Sequence, residues 1–206
     1  MKMSFIEVLF SVFLVFVFLF LFFYRFIFLR DPERIISKGR NIVSPADGKV
    51  IMLKRIKRKE GTIRKGLFGR INVFFRDVAK DGYIISIFMG PFDVHVNRAP
   101  MSGVVLNVKY NEGKFFIASR KKSLLNECNE ILMKTEVGKI KVIQIAGFFA
   151  RKIVCFVKEK QKLNKGERIG KIILGSQVSL ILPSRVKILV KKGDVVRAGE
   201  TILAEY

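Results

Sequence analysis

The hydrophobic pattern divides the chain into one long apolar block and a series of short apolar runs. From Val8 to Tyr24 no residue is charged, and ten of the twenty phenylalanines precede residue 29. As a helix, these seventeen residues would cover about 26 Å, close to the thickness of the bilayer core. No face of the segment is polar, which disfavours an amphipathic helix on a soluble domain. The pattern therefore predicts a membrane anchor over residues 1–29.

Basic residues lie mainly on one side of this block. Lys2 and the amino group precede it, and five basic residues follow it closely: Arg25, Arg30, Arg34, Lys38 and Arg40. Because basic residues beside a span stay in the cytoplasm, residues 30–206 are predicted to be cytoplasmic, held at the cell membrane by one anchor. A cleaved signal peptide is the alternative. The apolar region is long for one, and no small-x-small cleavage site follows it.

After residue 40 the apolar runs are short, β-branched and separated by turn residues. This pattern is typical of strands joined by tight turns. The clearest runs lie at residues 50–53, 71–75, 83–89, 101–108, 139–147, 153–157, 172–174 and 178–182. The run at 153–157 is apolar throughout, so we expect it to be buried on both faces.

The overall pattern predicts a mainly β domain. Residues 165–170 and 192–203 share a Gly-acidic-x-hydrophobic rhythm that is typical of small lipoyl- or biotinyl-type sandwiches. We therefore expect a small β-sandwich or barrel-like domain with lipoyl-like features over residues 30–206, preceded by one transmembrane helix.

Three further segments are less regular. Asp31 and Pro32 could cap and begin a short helix over residues 31–34. The basic, glycine-containing segment 54–70 predicts a mobile hairpin or loop, and the polar segment 119–129 a short helix or an excursion.

Composition and charge limit the classes of binding partner that the protein is expected to have. A net charge of +22 favours an anionic membrane surface, an acidic ligand or nucleic acid. The anchor and the sparse aromatic residues of the basic segment disfavour nucleic acid. Cys128 and Cys155 have no CxxC spacing, so we expect two unpaired thiols and no metal site. A homo-oligomer is an open alternative.

Three short segments contain the candidate chemistry. Residues 44–48, Ser-Pro-Ala-Asp-Gly, predict a turn that presents Asp47, for which an Asx-turn role is the simpler interpretation. His95 is the only histidine, and its ordinary pKa suits proton transfer near neutrality. Gly175-Ser176 interrupts a strand pattern, which indicates a tight bend or a serine that attacks the chain's own carbonyl.

In their order and spacing, these segments resemble one family. Residues 44–48, 88–100 and 166–176 resemble phosphatidylserine decarboxylase proenzymes, most closely the short form of archaea and many bacteria, whose lipid can be archaetidylserine. The resemblance covers about residues 30–206. It implies a carboxy-lyase of phospholipid biosynthesis that converts a serine glycerophospholipid to the ethanolamine lipid and CO2.

The resemblance also implies that the chain cuts itself. Ser176 Oγ would attack the Gly175 carbonyl, which glycine leaves unhindered. The products would be a β chain, residues 1–175, and an α chain, residues 176–206. Ser176 would become a pyruvoyl cofactor, which forms a Schiff base with the amine of the substrate and acts as an electron sink.

By the same resemblance, His95 would serve as base and Asp47 as its orienting carboxylate. Two positions depart from the longer members of the family. Arg98 stands where they have a second histidine, and Gln177 stands where they usually have threonine. One histidine would then serve both self-cleavage and decarboxylation, or another group would serve one of them.

A non-enzymatic alternative is a membrane-anchored, lipoyl-like adaptor or carrier. The chain has no Asp-Lys-hydrophobic or Ala-Met-Lys-Met hairpin that would offer a lysine for lipoylation or biotinylation. It also lacks the long helical hairpins typical of membrane-fusion adaptors. We therefore favour the enzyme.

Overall fold

The computed structural model describes residues 4–57, 60–65, 69–74, 77–79, 81–111, 127–147, 152–173 and 176–206. At 60–65, 69–74 and 176 it describes the backbone alone. These residues form helix α1 (Phe5–Phe22), a π-helical continuation (Phe23–Phe28) and sixteen strands. The strands are β1 (Asn41–Val43), β2 (Gly48–Lys57), β3 (Glu60–Lys65), β4 (Gly69–Phe74), β5 (Asp81–Met89), β6 (Val96–Arg98), β7 (Gly103–Asn111), β8 (Cys128–Thr135), β9 (Gly138–Ile145), β10 (Lys152–Cys155), β11 (Lys162–Leu163), β12 (Arg168–Ile173), β13 (Ser176–Pro183), β14 (Lys187–Ile188), β15 (Val195–Val196) and β16 (Ile202–Glu205).

The apolar helix begins with a capping box. Ser4 Oγ accepts a hydrogen bond from the Glu7 amide at 3.2 Å, and Glu7 Oε2 accepts one from the Ser4 amide at 2.7 Å. The helix runs from Phe5 to Phe28, and within the described part of the chain it is the one helix long and apolar enough to cross a membrane. Its 24 residues would span about 36 Å. The predicted apolar helix is confirmed and is compatible with membrane association.

Eight antiparallel strands form the main sheet, in the order β11-β7-β8-β9-β13-β5-β2-β15. Its central strands are buried on both faces: Leu180 and Ile85 face the larger core, whereas Ile181 and Ile84 face a smaller cluster on the opposite side. Successive side chains of a strand point to opposite faces, so this division follows directly from the continuous apolar run of β13.

The sheet curls around one core. Leu163 in β11 and Val196 in β15, on the two edge strands, are both buried in the same hydrophobic cluster. A flat eight-stranded sheet would hold these strands far apart. The prediction of a mainly β, barrel-like domain preceded by one apolar helix is therefore confirmed.

Two three-stranded antiparallel sheets contribute to the same core. Their strand orders are β10-β12-β6 and β1-β16-β14, and a further pair, β3-β4, forms a hairpin. The hairpin confirms that alternative for residues 54–70, although its strands begin only at Glu60 because β2 continues to Lys57. Residues 119–126 of the predicted polar excursion lie outside the described residues.

Two local predictions are wrong. Residues 31–34 form no helix, because Asp31 is not free to cap one: its carboxylate binds Arg98 and Arg168. Residues 153–157 are not buried on both faces, because β10 is an edge strand, and Phe156 after it is 46% exposed. Cys128 and Cys155 are both free thiols, as predicted.

The turn before β2 requires glycine. Gly48 has φ +131°, a conformation that other residues rarely adopt, and a methyl group there would overlap the Phe88 carbonyl oxygen on β5. The close approach brings Asp47 against the strand that leads into the His95 segment.

We expect Gly48→Ala to lower the free energy of unfolding by about 2 kcal/mol or more, from backbone strain and from steric overlap. Gly193→Ala is the matched control, because Gly193 has φ +105° but no atom within 4 Å of the added carbon. This control isolates the strain, which costs about 1 kcal/mol. Urea unfolding in detergent, followed by circular dichroism, measures both; equal losses would contradict the assigned overlap.

Candidate active site

The chain passes between the same two sheets twice, at neighbouring places. The first connection, residues 90–95, joins β5 of the eight-stranded sheet to β6 of the sheet β10-β12-β6. The second, residues 174–175, joins β12 of the smaller sheet back to β13 of the larger one. Since β13 pairs with β5 and β12 pairs with β6, the two connections begin and end side by side.

The strand register fixes this neighbourhood. Ser176, the first residue of β13, lies opposite Met89, the last residue of β5. On the other sheet, Lys171 lies opposite Val96, and the Ile172 amide donates to the His95 carbonyl oxygen at 3.1 Å. The backbone therefore brings the His95 segment close to Ser176 at the start of β13.

A proline turn shapes the segment that carries His95. The Asp93 amide donates to the Gly90 carbonyl oxygen at 3.1 Å, which closes a four-residue turn with Pro91 at its second position. The Asp93 carboxylate accepts a hydrogen bond from the Gly90 amide at 2.7 Å. Asp93 is therefore committed to the turn, and its backbone carbonyl is left to face the histidine ring.

His95 is held in a buried setting. Its Nδ1 lies 2.8 Å from the Asp93 carbonyl oxygen, and its ring centroid lies 4.1 Å from that of Phe28. The residue is 3% exposed, and among the described residues Nε2 has no hydrogen-bond partner. A buried nitrogen without a partner is unusual and indicates a group that acts on something else.

The surroundings favour the neutral ring with its proton on Nδ1. A carbonyl oxygen only accepts, so Nδ1 is the donor and Nε2 offers a lone pair. Burial lowers the pKa of His95; the hydrogen bond and the charge of Asp93 raise it, Arg30 lowers it, and Asp47 raises it least. With burial as the largest cause, the ring is a neutral base near neutral pH.

Asp47 is buried close by but is bonded elsewhere. Its Oδ1 accepts a hydrogen bond from the Ala198 amide at 2.8 Å, and its Oδ2 pairs with the Arg34 guanidinium at 2.7 Å. Glu200 is a second, more distant partner of Arg34, at 3.6 Å. Within the described part of the chain, Asp47 makes no hydrogen bond to His95 and acts on its ring through charge. Its contact with Ala198 joins the turn 44–48 to the C-terminal segment.

The predicted scission residues are described only in part. Ser176 begins β13 and its backbone lies in the register given above, whereas Gly175 lies outside the described residues. The structure therefore brings together the backbone segments of His95 and Ser176, and places Asp47 within electrostatic reach of His95.

The two departures from the longer relatives have different surroundings. Arg98 is 5% exposed and donates to the Gly166 and Pro32 carbonyl oxygens and to Asp31. Its guanidinium thus binds the segment that follows the apolar helix. Gln177 is buried in β13, where its Nε2 lies 3.3 Å from Ser179 Oγ.

Sequence reasoning missed a buried chain of amides beside the site. Asn129 donates to Gln144 at 2.9 Å, and Gln144 donates to Asn97 at 2.8 Å. Asn97 follows His95 by two residues on β6, whereas Gln144 lies opposite Val178 of β13. These hydrogen-bonded amides therefore tie together the two sheets that contain β12 and β13. Gly170 makes room for them, since an added methyl would lie 2.9 Å from Gln144 Nε2.

Phe28 and Arg34 were also missed. Phe28 ends the apolar helix and Arg34 lies in the linker after it, and each meets its partner, His95 or Asp47, only in the folded protein. Among the described residues, no three His, Cys, Asp or Glu side chains are grouped to hold a metal.

Fold and site together define a β-domain protein with an N-terminal apolar helix and a buried histidine on the segment next to the start of β13. A model of the phosphatidylserine decarboxylase family matches residues 19–204, and the chain belongs to this family. That membership does not favour the adaptor alternative.

The sequences of several relatives align with this chain over most of their own length. A phosphatidylserine decarboxylase proenzyme of Chlorobaculum tepidum is 41% identical over 180 residues, which are 86% of this chain and 76% of that protein. One of Rickettsia bellii is 42% identical over 182 residues, 87% of this chain and 73% of that protein. A protein of Methanothermobacter thermautotrophicus is 44% identical over 182 residues, 87% of this chain and 79% of that protein. Its name proposes that it is an archaetidylserine decarboxylase proenzyme.

Because His95 is the only histidine, its state can be measured directly. In ¹⁵N-labelled Ser176→Ala protein in detergent, we expect nitrogen shifts of a neutral ring protonated at Nδ1 and a titration midpoint below the ordinary 6.5. The free imidazole of unfolded protein in urea is the reference. A ring protonated at Nε2, or a midpoint above 6.5, would contradict the assigned hydrogen bond and burial.

Proposed function

We propose that this protein is a self-processing, pyruvoyl-dependent decarboxylase that converts a serine glycerophospholipid into the ethanolamine lipid and CO2. Family membership supports the reaction class. The observation that supports the proposal most is the register of β5 with β13 and of β6 with β12, which brings the backbone of the His95 segment near that of Ser176. An adaptor would have no use for a buried, unpartnered imidazole nitrogen at that place.

Self-cleavage is proposed to begin with His95 Nε2 taking the hydroxyl proton of Ser176. Oγ then attacks the Gly175 carbonyl carbon, and the bond to the Ser176 nitrogen breaks as that nitrogen is protonated. Elimination removes the α-proton of residue 176 and breaks its Cβ–Oγ bond, which leaves Gly175 as a carboxylate. One water is consumed and one ammonia released as residue 176 becomes the pyruvoyl group.

The residues around the link fit such a group. It would stand at the start of β13, opposite Met89, with the unpartnered His95 Nε2 on the adjoining segment. When formed, the pyruvoyl group supplies an electron sink for the loss of CO2 from the bound serine. In that step we assign His95 the proton that the α-carbon receives. The same nitrogen would then serve both reactions, as a base first and as an acid later.

Asp47 is proposed to assist through its charge. Held by Arg34 and by the Ala198 amide, it stays close to His95 without bonding its ring. A fixed negative charge stabilises the imidazolium that forms when His95 accepts the serine proton. Ala198 belongs to the proposed α chain, so the same carboxylate also joins the two products of the cut.

Strand pairing would hold the two chains together after the cut. The proposed α chain, residues 176–206, contains β13 to β16. β13 lies between β9 and β5, β15 pairs with β2, and β16 pairs with β1. Each of these partners belongs to the proposed β chain, residues 1–175.

We place residues 1–29 in the membrane as an anchor and residues 30–206 on the cytoplasmic side. The charge asymmetry across the apolar helix supports this orientation. The net charge of +22 supports contact with an anionic bilayer surface and with the phosphate of the substrate.

We expect the wild-type chain to yield two fragments, residues 1–175 and 176–206, that co-purify and separate only in denaturant. Ser176→Ala should leave the full-length mass, because no hydroxyl remains to attack. Ser184→Ala, an exposed serine of the same segment, is the control and should be processed normally. Intact mass gives the readout, with the fragments summing to the precursor plus one water minus one ammonia. A wild-type protein that stays at full length, or cleavage of Ser176→Ala, would contradict self-cleavage through Ser176.

The same preparations test the reaction. Wild-type protein should release CO2 from vesicles containing phosphatidylserine or archaetidylserine, and Ser176→Ala should release none. The ratio of the two rates identifies the preferred lipid. Processed protein that releases CO2 from neither lipid would refute the proposed substrate class.

Asp47→Asn should slow self-cleavage by about tenfold to a hundredfold, since it removes a charge near His95 but keeps the ring's own hydrogen bond. It should also lower the free energy of unfolding by about 3 kcal/mol, because the buried Arg34 loses its close partner. Glu200→Gln, which removes the distant partner at 3.6 Å, is the control and should change neither by much. Precursor half-life after cell-free synthesis gives the rate; a loss of about ten thousandfold would indicate direct orientation of the ring instead.

A further inference from the structure

The end of the apolar helix packs against the β domain. Phe28, its last π-helical residue, is 1% exposed and lies against His95, with 4.1 Å between ring centroids and 34° between ring planes. One turn earlier, Phe23 meets Phe92 edge to face, with 5.4 Å between centroids. Both contacts involve the connection 90–95. By contrast, Phe26 in the same π-helical segment is 61% exposed.

Polar contacts hold the helix end in this position. Arg30 donates to the carbonyl oxygens of Ile27 in the helix and of Phe92 in the connection. The next residue, Asp31, pairs with Arg98 of β6 and with Arg168 of β12. Arg30 and Asp31, which follow the helix end, are thus bonded to the connection 90–95 and to the neighbouring strands β6 and β12.

The helical geometry changes at the same place. Phe5–Phe22 is α-helical, whereas Phe23–Phe28 is π-helical. A wider turn rotates the residues that follow it relative to a continued α-helix, and such turns occur often at functional sites. Here the π-helical turn is the part that contributes both Phe23 and Phe28 to the domain.

We propose that this π-helical end of the membrane helix forms one wall of the active site, and that Phe28 is a positioning residue that covers His95 and fixes its ring. The inference rests on the proposed function, because it assigns the wall to that same site. The anchor is then a part of the site as well as a tether. A lipid headgroup would approach His95 alongside the helix that enters the bilayer, without leaving the membrane surface.

The Phe28 ring that covers His95 also affects the protonation of the imidazole. Burial is the largest influence on the pKa of His95 and lowers it. The charged groups that act on the ring are Asp93 in its own segment, Arg30 beyond the helix and Asp47 in the turn 44–48. Removing the Phe28 ring admits water and so raises the pKa toward its ordinary value. The neutral base is then lost at a higher pH.

The test compares full-length chains in the same detergent: wild type, Phe28→Ala, Phe28→Leu and, as control, Phe26→Ala. Phe28→Leu keeps an apolar side chain but removes the ring over the imidazole. In the Ser176→Ala background, the His95 titration midpoint should rise in the order wild type, Phe28→Leu, Phe28→Ala, with Phe26→Ala equal to wild type. This measurement needs no cleavage, so it decides the inference even if the proposed function fails.

A second readout uses self-cleavage after cell-free synthesis, between pH 5 and pH 8. Phe28→Ala should slow cleavage by about tenfold or more on the acid side, a part of the 10²- to 10⁴-fold that a placed base contributes. Its profile should fall at a higher pH than that of wild type. Unchanged midpoints and unchanged profiles in both Phe28 variants would overturn the inference. If Phe28→Ala does not fold, the comparison of Phe28→Leu with wild type decides it.

Discussion

The structure depends on one constraint. β5 pairs with β13 in the eight-stranded sheet, and β6 pairs with β12 in a three-stranded sheet. The chain connects β5 to β6 and β12 to β13, so two neighbouring links join the same two sheets. Each link is short, six residues on one side and two on the other. Moving either link would break backbone hydrogen bonds in both sheets at once, so the pairing fixes the histidine segment against the start of β13 more firmly than any single side-chain contact would. The amide chain through Gln144 adds a side-chain tie between the same two sheets.

The linker after the apolar helix is the second organising element. It runs without regular structure, yet its charged side chains bind the domain: Asp31 pairs with two arginines, and Arg34 pairs with Asp47. Ile36 fills the space beside Gly166 and Gly199, where an added methyl would meet its side chain. Because Gly166 precedes the proposed cut and Gly199 follows it, the linker lies across both parts of the domain. It therefore connects the position of the apolar helix with the geometry of the site.

The sequence predicted the parts of this arrangement that follow from local pattern. The apolar helix and most strands are visible as uncharged or β-branched runs, and His95 stands out because no other histidine competes with it. The helix expected at residues 31–34 failed because the capping residue is bound by arginines from β6 and β12, which local pattern cannot reveal. Phe28, Arg34 and Gln144 were missed for a similar reason: each is ordinary where it stands in sequence, and its role arises from a neighbour more than ten residues away.

The central position of β13 also decides whether a cofactor built from its first residue could be replaced. A cofactor that is bound from solution can be lost and replaced, whereas a group built from the first residue of a central strand cannot be exchanged without dismantling the sheet. Under the proposed mechanism, each chain would carry one such group for its whole life, and chemical damage to it would be permanent. The cell's capacity for the reaction would be set by the rate of protein synthesis rather than by the supply of a vitamin.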